Sequence, residues 1–254
     1  MSLIIEVKDL VMQYPAAAEP AVRDMSFGVL QGEVFGLLGP SGAGKTTILS
    51  ILTGELEPSR GEVLIAGHSL RSDRLAFKRA TGMMPQDTAL NPGLRAREHL
   101  GLWGRRYGLG GGELKRRIDE GLEVVGLRGF ADERVAQYSR AMKRRLNIAA
   151  ALLHQPQVLL MDEPTLGLDA QSRRSIWSLV GSLKAQGLTV LHTTCDAEEA
   201  QAPSDRIGLV DQGRLRALGT RDELVSLGVR VTDASVRKPG LEAAFWQLTG
   251  RTLG

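Results

Sequence analysis

One short segment of the chain combines residue types and spacing that suit phosphate binding. Residues 39–46 read GPSGAGKT; they follow the apolar run 36–38 and open a helix-like stretch, 45–52. Glycines let successive backbone N–H groups turn towards one anion, and a helix N-terminus adds its positive dipole end. Lys45 can reach the β- and γ-phosphates of a nucleotide, and the Thr46 hydroxyl can bind Mg²⁺. The segment predicts a phosphate-binding loop, the alternative being a chance glycine-rich turn.

A pair of carboxylates follows a second apolar run. Residues 158–161 read VLLM and are followed by Asp162 and Glu163. At a strand end Asp162 can hold Mg²⁺, and Glu163, facing the other side of the chain, can polarise a water in line with the γ-phosphate. Adjacent acids alone are weak evidence, but downstream of a phosphate-binding loop they predict ATP and Mg²⁺ as cofactors.

The composition limits the class of protein. The chain has 254 residues, 43% hydrophobic and 24% charged, which is typical of a globular protein with one large or two modest domains. Its longest apolar runs are strand-sized and its start has no leader pattern, so we expect neither a transmembrane helix nor a signal peptide. The single cysteine, Cys195, fits the cytosol. A net charge of +3 is too small to argue for nucleic acid.

The hydrophobic patterns alternate between strand and helix and predict an α/β fold. We expect a P-loop NTPase with a mixed β-sheet core, an antiparallel β subdomain and an inserted helical subdomain. Strands are predicted at 3–7, 21–29, 32–38, 61–67, 158–161 and 188–191, a late hairpin at 207–215, and a helix at 171–186.

The same patterns suggest boundaries within the chain. The ATPase domain is expected at 1–228, as a core of 1–93 and 154–228 with the helical subdomain at about 94–153. A short tail, 229–254, should pack on the core. In this tail Glu242, Phe245, Trp246 and Leu248 can form an amphipathic helix that packs on the core or on a partner.

The ordered set of motifs resembles the ATPase subunit of ATP-binding cassette (ABC) transporters over essentially the whole chain. Tyr14 stands at the family's adenine-stacking position, although an ordinary half-buried tyrosine is the alternative. Gln86, in MMPQD, is similar to the family's glutamine loop, which reaches the Mg²⁺ and the attacking water. The segment 164–169, PTLGLD, resembles the family's loop after the acids, where Asp169 helps shape the dimer interface. Segment 167–174 and tail segment 241–251 look most like the subfamily that serves bacterial drug and polyketide exporters.

The resemblance assigns roles to these positions. Glu163 and Gln86 would act in catalysis, and Thr46, Gln86 and Asp162 would hold the metal. The nucleotide would be bound by Tyr14, Gly39, Pro40, Ser41, Gly42, Ala43, Gly44, Lys45, Thr46 and Thr47.

The signature segment departs from the family pattern, LSGGQ or LSGGM followed by KRRL. Here it reads YSRAMKRRL over 138–146, so Ser139 is kept while Arg140 and Ala141 replace both glycines. In the family this segment caps the γ-phosphate bound by the opposite subunit. Arg140 could clash and prevent the dimer from closing fully, or its guanidinium could reach the γ-phosphate itself. We favour impaired closure, because the backbone amides need room that a side chain removes.

The switch position departs as well. The family pattern Thr-Thr-His is here Thr-Thr-Cys, which places Cys195 where an imidazole would contact the γ-phosphate and the catalytic glutamate. A neutral thiol is a weak hydrogen-bond donor. His192 lies earlier on the same strand and is better explained as a core histidine.

The resemblance implies an ATP-binding and hydrolysing subunit that powers a membrane transporter, an exporter by subfamily likeness, through ATP-driven dimer closure. Its partners would be a second ABC ATPase subunit, in a homodimer or a heterodimer, and a separately encoded integral membrane permease. The chain would be cytoplasmic and held on the cytoplasmic face of the membrane through that permease. One alternative is a degenerate regulatory subunit with little hydrolysis. The other, less favoured, is a soluble ABC ATPase associated with nucleic acid or the ribosome; nucleic acid is an unlikely partner, because the net charge alone is too small to argue for it.

Overall fold

A six-stranded, mostly parallel sheet forms the centre of the fold in this computed structural model, which describes residues 2–15, 17–87, 90–229 and 240–253. The strands are β3 (Val34–Leu38), β6 (Thr81–Met84), β7 (Val158–Asp162), β8 (Thr189–Thr194), β9 (Arg206–Asp211) and β10 (Arg214–Gly219). Their order is β10-β9-β3-β8-β7-β6, and only the pair β9–β10 is antiparallel. Every residue of β3, β7 and β8 is buried, because both faces of the parallel sheet are covered.

A smaller antiparallel sheet covers the start of the chain. It contains β1 (Leu3–Met12), β2 (Val22–Leu30), β4 (Arg60–Ile65) and β5 (His68–Ser69), in the order β2-β1-β4-β5. β1 is longer than the strand predicted at 3–7. A bulge with Asp9 at φ 48° interrupts the pairing, which then resumes between Leu10 and Met25.

Helices cover the central sheet and fill the middle of the chain. They are α1 (Lys45–Leu52), α2 (Arg74–Arg79), α3 (Ala96–Arg106), α4 (Gly111–Val124), α5 (Arg140–Leu152), α6 (Ala170–Ala185), α7 (Ala197–Gln201), α8 (Arg221–Val229) and α9 (Leu241–Thr249). All the elements between Ala96 and Leu152 are helical, including two short 3₁₀ turns. The mixed core sheet, the antiparallel sheet and the helical middle segment confirm the predicted fold class.

The apolar side chains form three clusters that tie these layers together. One joins the antiparallel sheet to α1, and a second joins α3, α4, α5 and α6 to the other face of the central sheet. The third packs α7, α8 and α9 against the strands β3 and β9.

The last helix packs back on the sheet. Leu241, Ala244 and Phe245 are buried, and Phe245 shares its cluster with Leu38 at the end of β3. Trp246 on the same helix is 56% exposed. The first part of the predicted tail, 230–239, lies outside the described residues. The division into a domain at 1–228 and a tail stays a prediction.

Replacement of Phe245 tests how much the last helix stabilises the fold. Phe245→Ala should lower the free energy of unfolding by about 3–5 kcal/mol, because it leaves a cavity under α9. Trp246→Ala on the exposed side is the matched control and should cost less than about 1 kcal/mol. Urea denaturation followed by circular dichroism measures both. Equal losses for the two variants would contradict the packing described here.

Candidate functional site

The phosphate-binding loop joins β3 to α1 and lies against the turn between β9 and β10. A Cβ atom at Gly39 would come within 2.1 Å of the Val210 carbonyl oxygen. Gly44 has φ 100°, and a Cβ atom there would lie 2.5 Å from the Ala21 carbonyl oxygen. Both positions require glycine. These close contacts fix the position of the loop immediately before Lys45, where helix α1 begins.

Lys45 is buried inside this loop. Its Nζ donates to the carbonyl oxygens of Gly39 (2.6 Å) and Pro40 (3.1 Å) and lies 3.5 Å from Oε1 of Glu163. The lysine and glutamate side chains are only 5% and 10% exposed. A buried cation needs such partners.

Thr46 and Asp162 meet across the sheet. The Thr46 hydroxyl donates to Asp162 Oδ2 at 3.1 Å, and the Thr193 hydroxyl donates to Asp162 Oδ1 at 2.6 Å. This pair of hard oxygen donors fits Mg²⁺, which proteins usually hold through one or two carboxylates while phosphates and waters complete the shell. The described residues contain no cluster of three or more His, Cys, Asp or Glu that could hold a metal alone.

Glu163 sits in a strained backbone conformation. Its φ of 46° is left-handed, which costs a non-glycine residue about 1–2 kcal/mol. Its amide donates to both the carbonyl and the hydroxyl oxygen of Thr193, at 3.2 Å each. In this conformation the Glu163 carboxylate lies beside Lys45.

Cys195 lies beside the same carboxylate. Its thiol is 3.5 Å from Glu163 Oε2 and donates to it. Burial, the neighbouring Glu163 charge and this hydrogen bond raise the pKa of the Cys195 thiol, which therefore stays neutral at pH 7. Cys195 therefore offers this carboxylate a weak hydrogen-bond donor.

His192 does not enter the site. Its Nε2 is 2.8 Å from Ser204 Oγ, and its ring lies 4.9 Å from the Trp177 ring. Full burial lowers the pKa of His192 to about 3. The expectation of a core histidine is confirmed.

Tyr14 extends the site towards the antiparallel sheet. Its hydroxyl lies 3.2 Å from the Thr47 hydroxyl, while the side chain is 41% exposed. The hydrogen bond orients the ring beside α1 and leaves apolar surface free for stacking.

Gln86 is exposed and is held through its backbone. Arg144 of α5 donates to the carbonyl oxygens of Pro85, at 3.3 Å, and of Gln86. Arg144 itself is buried, which lowers the pKa of its guanidinium. The sequence analysis missed this contact, which links the helical segment to the strand end of β6.

The signature segment lies apart from the phosphate-binding loop of its own chain. Ser139 caps α5 by accepting from the Met142 amide at 3.2 Å, and Arg140 Nη1 donates to the Gly167 carbonyl oxygen at 3.4 Å. Ala141 follows in the first turn of the helix. Within the described part of the chain, no hydrogen bond or ion pair joins residues 139–141 to the loop 39–46.

Asp169 caps the next helix. It accepts from the Ser172 amide at 2.9 Å and the Ser172 hydroxyl at 2.7 Å, and these bonds lower the pKa of the Asp169 carboxyl. The cap fixes the end of loop 164–169, whose Gly167 contacts Arg140.

A buried glutamate behind Glu163 was also missed. Glu199 of α7 accepts from the Thr194 hydroxyl at 2.6 Å and from the Thr165 hydroxyl, and so joins the ends of β7 and β8. Burial raises the pKa of Glu199, and the nearby Glu163 and Asp196 charges add to the rise. Sequence spacing gives no signal for the bond between Thr165 and Glu199.

This fold and this cluster of lysine, threonine and acids at the carboxyl ends of parallel strands define a P-loop NTPase. The family model described as "ABC transporter" matches residues 22–166. The chain is 42% identical over 224 residues to the linearmycin resistance ATP-binding protein LnrL of Bacillus subtilis, covering 88% of this chain and 72% of LnrL.

Two solved structures give the same result. The ATP binding subunit of an ABC transporter superposes with a TM-score of 0.81 and 31% identity, covering 98% of this chain and all of that one. The ATP-binding cassette MJ0796, in a dimeric post-hydrolysis state bound to ADP and Pi, gives a TM-score of 0.75 and 28% identity over 85% of this chain and 98% of that one. The chain belongs to the ABC transporter family, whose ATPase subunits hydrolyse ATP to drive transport.

Glu199 should make the stability of the fold depend on pH. Its raised folded-state pKa means that the folded chain binds this proton more tightly than the unfolded chain. The resulting stabilisation is complete below the ordinary value of 4.5 and is lost as the pH rises through the raised value. Urea denaturation at a series of pH values should show wild type losing stability relative to Glu199→Gln over this window.

Glu198→Gln is the matched control, because Glu198 is exposed on the same helix. The stability difference between wild type and this variant should stay constant over the window. If the difference in unfolding free energy between wild type and Glu199→Gln does not change with pH, burial does not raise the pKa of Glu199 as described.

Proposed function

We propose that the chain binds MgATP at residues 39–47 and hydrolyses it to drive closure of a cassette dimer that powers a separately encoded membrane permease. The observation that carries this proposal is the connected cluster of Lys45, Thr46, Asp162 and Glu163. These four side chains bring together groups suited to phosphate, metal and water. Tyr14 would stack on the adenine, and the glycines of the loop would turn their amides to the phosphates.

Three residues would hold the metal. Thr46 and Asp162 already face each other, and Gln86 would reach in from the end of β6. When bound, Mg²⁺ neutralises charge that develops on the phosphate oxygens. Arg144 would position Gln86 by fixing its backbone.

Glu163 would act as the base or orient the attacking water. Its carboxylate is held between Lys45 and Cys195, and phosphate in the loop would give Lys45 other acceptors. Ser139, Arg140 and Ala141 would act on the nucleotide of the second subunit, and Asp169 would shape the interface between the two.

The transported substrate is proposed as a drug-like small molecule that leaves the cell. The support is the likeness to LnrL, a linearmycin resistance ATP-binding protein, of which this chain spans 72%. Within the described residues, no helix is long and apolar enough to cross a membrane. We propose attachment to the cytoplasmic face of the membrane through the permease.

The second candidate function is a degenerate regulatory subunit that binds ATP with little hydrolysis, and two observations favour it. The Cys195 thiol is neutral, and the Arg140 side chain occupies the signature segment. Nucleic acid has less support, since basic side chains of the helical segment pair with acids. These pairs are Arg97–Asp119, Arg116–Glu113, Arg116–Glu120, Arg117–Glu113 and Arg128–Glu123.

MgATP turnover by the purified chain, beside Glu163→Gln, tests the proposed function. We expect wild type to turn over slowly and the variant to lose about 10²–10⁴-fold in kcat, because it lacks the carboxylate that orients water. Nucleotide affinity, measured with a fluorescent ATP analogue, should be kept. Tight binding with equal turnover in both proteins would make this a degenerate subunit.

The switch position can be tested by restoring its imidazole. Cys195→His should raise kcat by about tenfold or more, because an imidazole donates to the γ-phosphate and to Glu163 far better than a neutral thiol. Cys195→Ala is the matched control, and its kcat should not exceed that of wild type. Adding Arg140→Gly with Ala141→Gly should raise the rate further. Unchanged ATPase activity in the triple variant would show that neither departure limits turnover.

A further inference from the structure

Glu199 is a buried acid that the proposed steps of ATP binding and hydrolysis do not use. Its side chain is only 8% exposed. One carboxylate oxygen accepts from the Thr194 hydroxyl at 2.6 Å, and the other accepts from the Thr165 hydroxyl. An ionised carboxylate accepts hydrogen bonds and donates none, so a single acid can hold two hydroxyls at the same time.

The two threonines stand beside two functional positions. Thr165 follows Glu163 by two residues, and Thr194 immediately precedes Cys195. The Cys195 thiol lies 3.5 Å from Oε2 of Glu163. The bonds of Glu199 therefore join the two backbone segments that carry this thiol and this carboxylate.

Helix α7, which carries Glu199, is itself fixed to the fold. Asp196 caps the helix by accepting from its first amides at 2.8 Å and 3.1 Å. Ala197 and Ala200 are buried in the apolar cluster that contains Leu38, at the end of β3. Glu199 therefore holds the threonines from a helix that packs on the central sheet.

Glu163 needs support on both sides, because its backbone is strained. A left-handed φ of 46° persists at a non-glycine residue only where the surrounding structure enforces it. On the N-terminal side, the Glu163 amide donates to the carbonyl and hydroxyl oxygens of Thr193. On the C-terminal side, the Leu166 amide donates to the Glu163 carbonyl oxygen at 3.2 Å. Within this turn Thr165 is bound to Glu199.

We propose that Glu199 is a positioning residue for hydrolysis, which holds the Glu163 carboxylate in place for the attacking water. It acts through Thr165 and Thr194 and does not itself contact the nucleotide or the metal. A small displacement of a positioned group can lower the rate of a reaction strongly without changing substrate binding. The inference rests on the proposed function, since it requires that Glu163 orients the water.

Steady-state kinetics of the full chain test this role. Thr165→Val removes one hydroxyl at nearly constant volume and should lower kcat by about tenfold or more, because the carboxylate loses its fixed place. The KM for MgATP should stay within about twofold, since the loop 39–46 is untouched. Thr165→Ser keeps the hydroxyl and should restore kcat.

Glu199→Gln tests the same bonds from the other partner and keeps the shape of the side chain. It should also lower kcat at constant KM, because an amide has only one acceptor oxygen. Glu198→Gln, at an exposed position of the same helix, is the matched control and should leave both constants unchanged.

Cys195, the single cysteine of the chain, reports the geometry without any ATP turnover. Its alkylation by iodoacetamide, measured at one pH without nucleotide, should be faster in Thr165→Val and in Glu199→Gln. A Glu163 carboxylate that is no longer held beside the thiol raises the thiol pKa less, so more of the reactive thiolate is present. Glu163→Gln removes the carboxylate charge and calibrates the effect, and Thr165→Ser should react like wild type.

Two results overturn this inference alone. One is a loss of turnover in Glu163→Gln that neither Thr165→Val nor Glu199→Gln reproduces in part. The other is alkylation of Cys195 at the wild-type rate in both of these variants. Equal turnover in wild type and Glu163→Gln instead overturns the proposed function, and the alkylation rates then still decide whether Glu199 holds the carboxylate beside the thiol.

Discussion

Burial of the Lys45 ammonium beside the Glu163 carboxylate is the interaction on which the site depends. Both side chains are almost inaccessible, and the cation is satisfied by two loop carbonyls and one acid. Removing one partner of a buried pair leaves an uncompensated charge, which costs far more than the pair contributes. The loop after β3 and the end of β7 are therefore constrained together, although β8 lies between them in the sheet. Thr193 at the end of β8 completes the constraint by bonding both Asp162 and Glu163.

The sequence was sufficient for those parts of the site whose signals are local. The loop 39–46 and the acids 162–163 are compact motifs, and the carboxyl ends of parallel strands meet at one edge of a sheet, so their convergence could be predicted. Arg144 and Glu199 could not be found in this way. Each acts across more than thirty residues of sequence, through a backbone carbonyl or a threonine hydroxyl. The left-handed φ of Glu163 was equally hidden, since nothing in the residue type requires it.

The two departures from the family pattern do not act in the same way. Cys195 donates a weak hydrogen bond to Glu163, and its raised thiol pKa keeps the side chain neutral, so it offers a phosphate neither the positive charge nor the strong N–H donor of an imidazole. Arg140 instead donates a hydrogen bond to the carbonyl oxygen of Gly167 in its own chain. The first departure weakens a contact within this subunit. In the proposed dimer the second would reduce what this subunit offers to the nucleotide of its neighbour, so the two effects would fall on different ATP molecules.

The Arg140 contact also gives the signature segment a mechanical link that glycine would lack. A glycine at this position leaves the backbone free to approach a phosphate, whereas the arginine ties helix α5 to the loop that follows Glu163. The loop 164–169 is joined in turn to the end of β8, because Glu199 accepts hydrogen bonds from both the Thr165 and the Thr194 hydroxyls. Arg144 makes the corresponding link to Gln86 from the same helix. Helix α5 therefore contacts both the backbone at Gln86 and the loop that follows Glu163, and in the proposed transporter a permease that shifts the helical segment would act on both of them together.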